Sequence, residues 1–222
     1  MLTVHHLNNS RSQRILWLLE ELGVDYEIVR YERDPKTMLA PASLKKIHPL
    51  GKAPVITDGD VTMAESGAII EYLLARYGNG QLAPAANTQA YWQYRQWLHY
   101  AEGSVMPLLL MSLVFSQIPR RVPFFIKPIG KAISSKVQQT FIQPRLTEHL
   151  DYQENALTTS GWFAGDTFTA ADIQMSFAVE GAKTRGILTE KHPHLNAWLD
   201  KIHARPAYSC ALEKGGPYDL LN

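Results

Sequence analysis

The residues of this chain whose types and spacing suit chemistry lie in two short runs, Asn8-Asn9-Ser10-Arg11-Ser12 near the start and the stretch from Lys52 to Ser66. In the second run, Lys52-Ala53-Pro54 leads into the β-branched Val55-Ile56-Thr57, Asp58-Gly59 favours a tight hairpin turn, and Val61-Thr62-Met63 returns. Pro54 lacks an N–H, so it belongs at the mouth of the strand, where an X-Pro bond is cis at modest cost. Glu65-Ser66-Gly67 then precedes Ile69, Ile70, Leu73, Leu74 and Tyr77, apolar residues at helical spacings of three and four. Ser66 is expected to start that helix. Free N–H groups and the positive dipole end there favour a carboxylate, and Glu65 beside them suits an ammonium. A strand edge beside a proline, with a helix start and a Glu close by, fits an extended peptide carrying a free α-amino acid end. The same residues also suit an ordinary hairpin and helix in which Pro and Ser are merely turn and cap.

The elements that must hold these runs are legible in order. Leu2-Thr3-Val4-His5-His6 reads as a strand, and the Asn/Ser-rich turn after it feeds a helix with an apolar stripe of Ile15, Leu16, Leu18, Leu19 and Leu22. Glu20 and Glu21 are expected to face out, and Gly23 suits the left-handed end residue. Tyr26-Glu27-Ile28-Val29-Arg30 is a second strand, and residues 38–47 form a weak helix broken by Pro41. The order is β-α-β, a loop helix, then β-β-α, which matches a thioredoxin-like α/β domain over residues 1–80. Residues 78–87, GNGQLAPAAN, read as a linker, and residues 88–222 as an all-α domain. Its first helix, 88–115, is rich in aromatics (Tyr91, Trp92, Tyr94, Trp97, Tyr100) that suit a core or a dimer interface. Residues 116–130 hold three prolines and are expected to break the helical pair, with a long helix resuming near Lys131. Thr169 with Asp172 three residues on is a capping box, which gives Asp172 a structural role.

The first domain resembles the glutathione-binding domain of the cytosolic glutathione transferases, and the capping box, Pro193-His194-Leu195-Asn196-Ala197-Trp198 and Arg205-Pro206-Ala207 resemble their helical domain. The resemblance covers essentially the whole chain. It implies that Pro54 is cis, that Val55 pairs with the backbone of the tripeptide, that Glu65 and Ser66 hold its γ-glutamyl end, and that Lys52 lies near its glycine carboxylate, with Arg11 also in the glutathione site. Asn-Ser-Arg-Ser-Gln-Arg is similar to first loops that use Ser or a neighbouring Asn instead of Tyr, and His5 stands where a Tyr-type enzyme carries its tyrosine. Ser10 is the leading catalytic residue, Asn9 its rival, and Ser12 the expected helix cap. Arg14 is expected to pair with a carboxylate of the fold. A thiol with a reference pKa of about 8.5 is mostly protonated at neutral pH, and hydrogen bonds aimed at the sulfur favour the nucleophilic thiolate.

The activity implied is transfer of glutathione, as cosubstrate, to a small hydrophobic electrophile, as in detoxification, or reduction of a peroxide; the alternative is a glutathione-binding regulatory protein without turnover. Composition bounds the rest. In 222 residues there are 22 basic and 21 acidic side chains and one cysteine, Cys210. The near-neutral balance gives no reason to expect nucleic acid as partner, and a lone cysteine excludes an internal disulfide and a Cys-x-x-Cys redox pair. No metal is expected. No run approaches 18 consecutive apolar residues, so a cytoplasmic location is expected; the aromatic face of 88–115 and the resemblance imply a homodimer, and a peripheral membrane contact through Phe124, Phe125 and Lys127 rests on one short segment, so no membrane partner is expected.

Overall fold

The computed structural model describes residues 1–216, 218 and 219. β1 (Leu2–Leu7), α1 (Gln13–Leu22), β2 (Glu27–Tyr31), α2 (Ala42–Ile47), β3 (Val55–Asp58), β4 (Val61–Ala64) and α3 (Ser66–Tyr77) make the first domain. Its sheet has the order β2-β1-β3-β4, with β1 parallel to β2 and antiparallel to β3, and β3 antiparallel to β4. The parallel pair needs a crossover, which α1 supplies. α1 ends at Gly23, whose φ of 63° lets the chain turn back under the sheet. The hairpin is closed by Gly59–Asp60, since Asp58 is still paired with Val61. Asp58 instead accepts hydrogen bonds from Tyr72 and Tyr77 of α3.

The second domain is helical: α4 (Gln89–Tyr100), α5 (Met106–Arg121), α6 (Lys127–Val137), α7 (Gln143–Leu157), α8 (Ala170–Thr184), α9 (Pro193–His203) and α10 (Pro206–Gly215). α4 and α5 form one long helix joined by the wide turn Ala101–Val105, and α6 and α7 another joined by Gln138–Ile142. Each wide turn lies just before a proline, Pro107 and Pro144. A proline ring collides with the carbonyl four residues back. Those carbonyls, of Gly103 and Thr140, sit inside the widened turns, which relieve the clash without ending the helix.

The expected break over 116–130 is much shorter than predicted. α5 runs through Pro119 to Arg121, and α6 begins at Lys127 after Val122–Pro123 and the 3₁₀ turn Phe124–Ile126. Pro119 cannot donate to the Phe115 carbonyl, but the Ser134 hydroxyl of α6 does, at 2.7 Å. The helix survives because its neighbour supplies the lost donor. By length and composition Gln89–Arg121 is apolar enough to cross a bilayer, with a mean hydropathy of 1.4 over its most apolar window. Here it packs against α8 and α6.

One apolar core runs through both domains, from Val4, Ile56 and Ile70 in the first to Trp97, Ile173 and Trp198 in the second. α1 is buried nearly all round because α10 and α8 cover the side that the sheet leaves free. Glu20 and Glu21 therefore do not face out as predicted. Glu21 takes a bidentate pair from Arg205 at 2.6 and 2.7 Å, and Glu20 accepts from Lys214 and Tyr26. Asp172 closes its capping box and also receives the Phe163 amide and the Trp198 indole N–H. The role assigned to it from sequence is thus structural, as expected.

Candidate functional site

The first-loop serines are placed by the turn between β1 and α1. Ser10 is buried, and its Oγ accepts the Ser12 N–H at 3.2 Å and lies 2.7 Å from Ser12 Oγ. Ser10 thus supplies the turn bond predicted for Ser12, whose side chain makes no cap bond to α1. Ser12 Oγ instead accepts the Leu7 N–H at 3.2 Å and lies 2.9 Å from His6 Nδ1. Burial, helped by the nearby Arg30 cation and opposed by a bond to the Gly215 backbone, pushes His6 down to about 4. The ring is neutral at working pH, so with its other nitrogen bound to Gly215 its Nδ1 is an acceptor. Ser12 donates to it. With Ser12 donating to His6, the 2.7 Å contact makes Ser10 the donor to Ser12 Oγ, so a ligand sulfur in the cleft would take this proton by competing with the Ser12 oxygen.

Asn9, the rival, is held elsewhere. With φ at +50°, its amide donates to Asp219 at 2.5 Å and its oxygen accepts the Asp219 N–H at 2.8 Å. His5 points away from the loop chemistry, to Tyr31 at 3.0 Å.

Ser10, Asn9, Arg11, Lys52 and Ala53 line a cleft of about 520 Å³ together with Arg33, Lys45, Leu110 and Phe177. A narrower recess lined by Arg11, Lys52, Ala53, Pro54, Glu65 and Ser66 continues it. The two share Arg11, Lys52 and Ala53, so the separate runs of the sequence meet along one trough. The Ala53-Pro54 bond is cis, as expected. Val55 is a correction. It is fully buried, paired with His5 on one side and Ala64 on the other, and lines no part of the trough, whereas Ala53, outside the strand, lines both parts. A strand flanked by neighbours on both edges has no free backbone face for a peptide.

α3 starts at Ser66 with Glu65 at φ +71°. The Ser66 oxygen accepts from Arg14 Nη2 at 2.9 Å, which leaves its proton free to donate into the recess. Arg14 is almost wholly buried, and its fork also reaches the Gln174 carbonyl and Glu102. Burial works to raise the Glu102 carboxyl, but Arg14 and Arg11 outweigh it and hold the group below the usual range. Arg14 therefore pairs with a carboxylate of the fold, as predicted, and Arg11 shares the same partner. Sequence reasoning missed Glu102, Arg33, Lys45, Leu110 and Phe177. None carries a local signal, because each enters the site from a distant element. Among the described residues no cluster of His, Cys, Asp and Glu is arranged for a metal.

A mixed four-stranded sheet with a cis-proline before β3, joined to a helical domain that completes a cationic and partly apolar trough, defines the class of thioredoxin-like enzymes with a helical second domain. Comparison with known proteins narrows this. Residues 1–75 match the model of the glutathione S-transferase N-terminal domain and residues 118–206 that of the C-terminal domain. The chain is 36% identical to glutathione S-transferase 3 of Schizosaccharomyces pombe, over 96% of its own length and 88% of the relative's. It is 31% identical to glutathione S-transferase 1 of Saccharomyces cerevisiae, over 96% and 95%. A crystal structure of a glutathione S-transferase from Actinobacillus pleuropneumoniae superposes with a TM-score of 0.80 at 34% identity, over 99% and 95% of the two chains. A sphingomonad glutathione S-transferase complexed with glutathione shares the fold, with a TM-score of 0.72 at 22% identity. The chain belongs to the glutathione S-transferase family, and it is a glutathione transferase.

Proposed function

We propose that Ser10 activates the glutathione thiol and that the trough from Ser10 to Ser66 holds the tripeptide. The observation that carries this reading is the Ser10 hydroxyl lining one end of a trough whose other end is the Glu65–Ser66 helix start. The γ-glutamyl carboxylate meets the Ser66 hydroxyl and the first N–H groups of α3, and its ammonium meets Glu65. The cysteine backbone pairs with Ala53. The glycine carboxylate lies among Lys52, Lys45 and Arg33. With the ends fixed, the sulfur sits beside Ser10, whose O–H stabilises the thiolate at a cost of no proton transfer to the protein.

Leu110 and Phe177 form the apolar wall against which a hydrophobic electrophile is held, and the thiolate attacks its electrophilic carbon to form a thioether, with halide expelled from an aryl halide or, on addition to an activated double bond, a proton taken up from water. With an organic hydroperoxide, the same thiolate and a second glutathione yield glutathione disulfide, the alcohol and water. The working unit is a homodimer in the cytoplasm. Glutathione-agarose retention followed by turnover assays with an aryl halide and with an organic hydroperoxide tests the reading. Retention that survives Glu65→Ala with Ser66→Ala, or turnover unchanged in Ser10→Ala, would overturn it.

A further inference from the structure

The hairpin of α5 and α6 carries an apolar surface that the chain leaves uncovered. At its tip Phe124 is 83% and Phe125 69% exposed, followed on α6 by Ile129 and Ile133, both more than half exposed. On α5, Leu110, Leu113 and Val114 are exposed at helical spacing, and Leu110 lines the Ser10 cleft while Leu113, Val114, Ile118 and Val122, at the same spacing further along the helix, line a second groove. An apolar strip thus runs from the reactive cleft to the tip. Scattered exposed apolar residues are ordinary, but apolar residues repeated along one helix and ending in paired exposed phenylalanines mark an interaction surface.

Charge says what covers it. Residues 103–147 hold six Lys and Arg (Arg120, Arg121, Lys127, Lys131, Lys136, Arg145) and no Asp or Glu, so the other residues hold 16 basic side chains against all 21 acidic ones. The even overall balance hides a segregated distribution. Arg120, Arg121, Lys127 and Lys131 are exposed around the tip, and among the described residues none of them pairs with a carboxylate. Aromatic side chains at an end ringed by unpaired cations suit the boundary between headgroups and acyl chains of an anionic bilayer. A twofold pairing of this face with itself would set the two basic clusters against each other.

We infer that the α5–α6 tip docks on anionic lipid surfaces, with Phe124 and Phe125 inserted, Arg120, Arg121, Lys127 and Lys131 on the headgroups, and the apolar strip leading toward the thiol cleft. The sequence segment alone gives this contact only weak support; the uncovered strip and the missing acids carry it. It stands independently of the roles given to Ser10, Glu65 and Ser66.

The test is vesicle co-sedimentation of the full chain, with phosphatidylcholine alone and with about one-third phosphatidylserine. Wild type should bind the anionic vesicles and lose binding as salt rises. Phe124→Asp with Phe125→Asp should abolish binding. Arg120→Gln with Arg121→Gln should weaken it roughly 25-fold, from about fivefold per cation. Neither pair should alter turnover of a water-soluble aryl halide. No binding to anionic vesicles, equal binding to neutral ones, or full binding by the Phe pair variant overturns the proposal. So does conversion of a dimer to a monomer by the Phe pair variant in light scattering, which would assign the face to a second copy. Binding to a soluble acidic polypeptide that equals vesicle binding and survives the Phe changes would assign it to an acidic protein.

Discussion

Ser10→Ala removes the first-loop hydroxyl that lines the cleft. A hydrogen bond to a charged acceptor is worth about 1.5–3 kcal/mol, which corresponds to roughly one to two units in the pKa of the bound thiol. The thiolate fraction and the rate at pH 6.5 should therefore fall about tenfold to a hundredfold and recover as pH rises toward the reference thiol value of about 8.5. The structure adds a second cost. Ser10 Oγ also accepts the buried Ser12 N–H, and leaving that donor unpaired removes about 1–3 kcal/mol of stability. Urea unfolding measures this loss apart from the rate, and Ser10→Thr, which keeps the hydroxyl, should restore both. The decisive assay is titration of thiolate absorbance in the enzyme–glutathione complex. Asn9→Ala should leave the thiol pKa as in wild type, because the Asn9 amide is committed to Asp219. An unchanged pKa in Ser10→Ala, or a rate loss that is the same at every pH, refutes the reasoning.

Three further outcomes follow from the same geometry. Glu65→Ala and Ser66→Ala should raise the KM for glutathione more than they lower kcat, since each removes a charge-assisted bond formed equally in the ground and transition states; steady-state kinetics at varied glutathione checks this, and an unchanged KM in both counts against the trough assignment. Burial pushes Asp172 up to about 6 against its four hydrogen-bond donors, so the folded state holds more protons than the unfolded one between about pH 4 and 6 and the stability this group contributes falls as pH rises. Asp172→Asn should accordingly be destabilising, with a penalty that shrinks by up to about 3 kcal/mol across that window in denaturant titrations; a penalty that grows with pH would mean that the donors outweigh burial. Light scattering at micromolar concentration should give twice the 25.0 kDa of one chain, and a particle of one chain's mass would remove the homodimer from the functional reading.

What the sequence determined by itself is local. Period-two and period-four patterning placed β1, α1, the β3–β4 hairpin and α3; Thr169 and Asp172 announced their capping box three residues apart; and Ser10, Pro54, Glu65 and Ser66 lie at turns whose chemistry is written in adjacent residues. The tertiary structure decided whatever depends on a partner far along the chain. Arg14 and Arg11 are committed because Glu102 arrives from the wide turn after α4, and Asn9 is committed because Asp219 returns from the far end. Glu20 and Glu21 turn inward because α10 brings Lys214 to Glu20 and Arg205, the residue just before α10, to Glu21. Pro119 reads as a helix breaker in any window of its own neighbours, yet Ser134 replaces the donor it lacks. Val55 and Ala53 flank the same proline, and only the sheet, by enclosing one and leaving the other at its edge, decides which can face a ligand. Patterning reports which face of an element is apolar; it carries no distance between side chains a hundred residues apart, and the site's charges and walls are set by those distances.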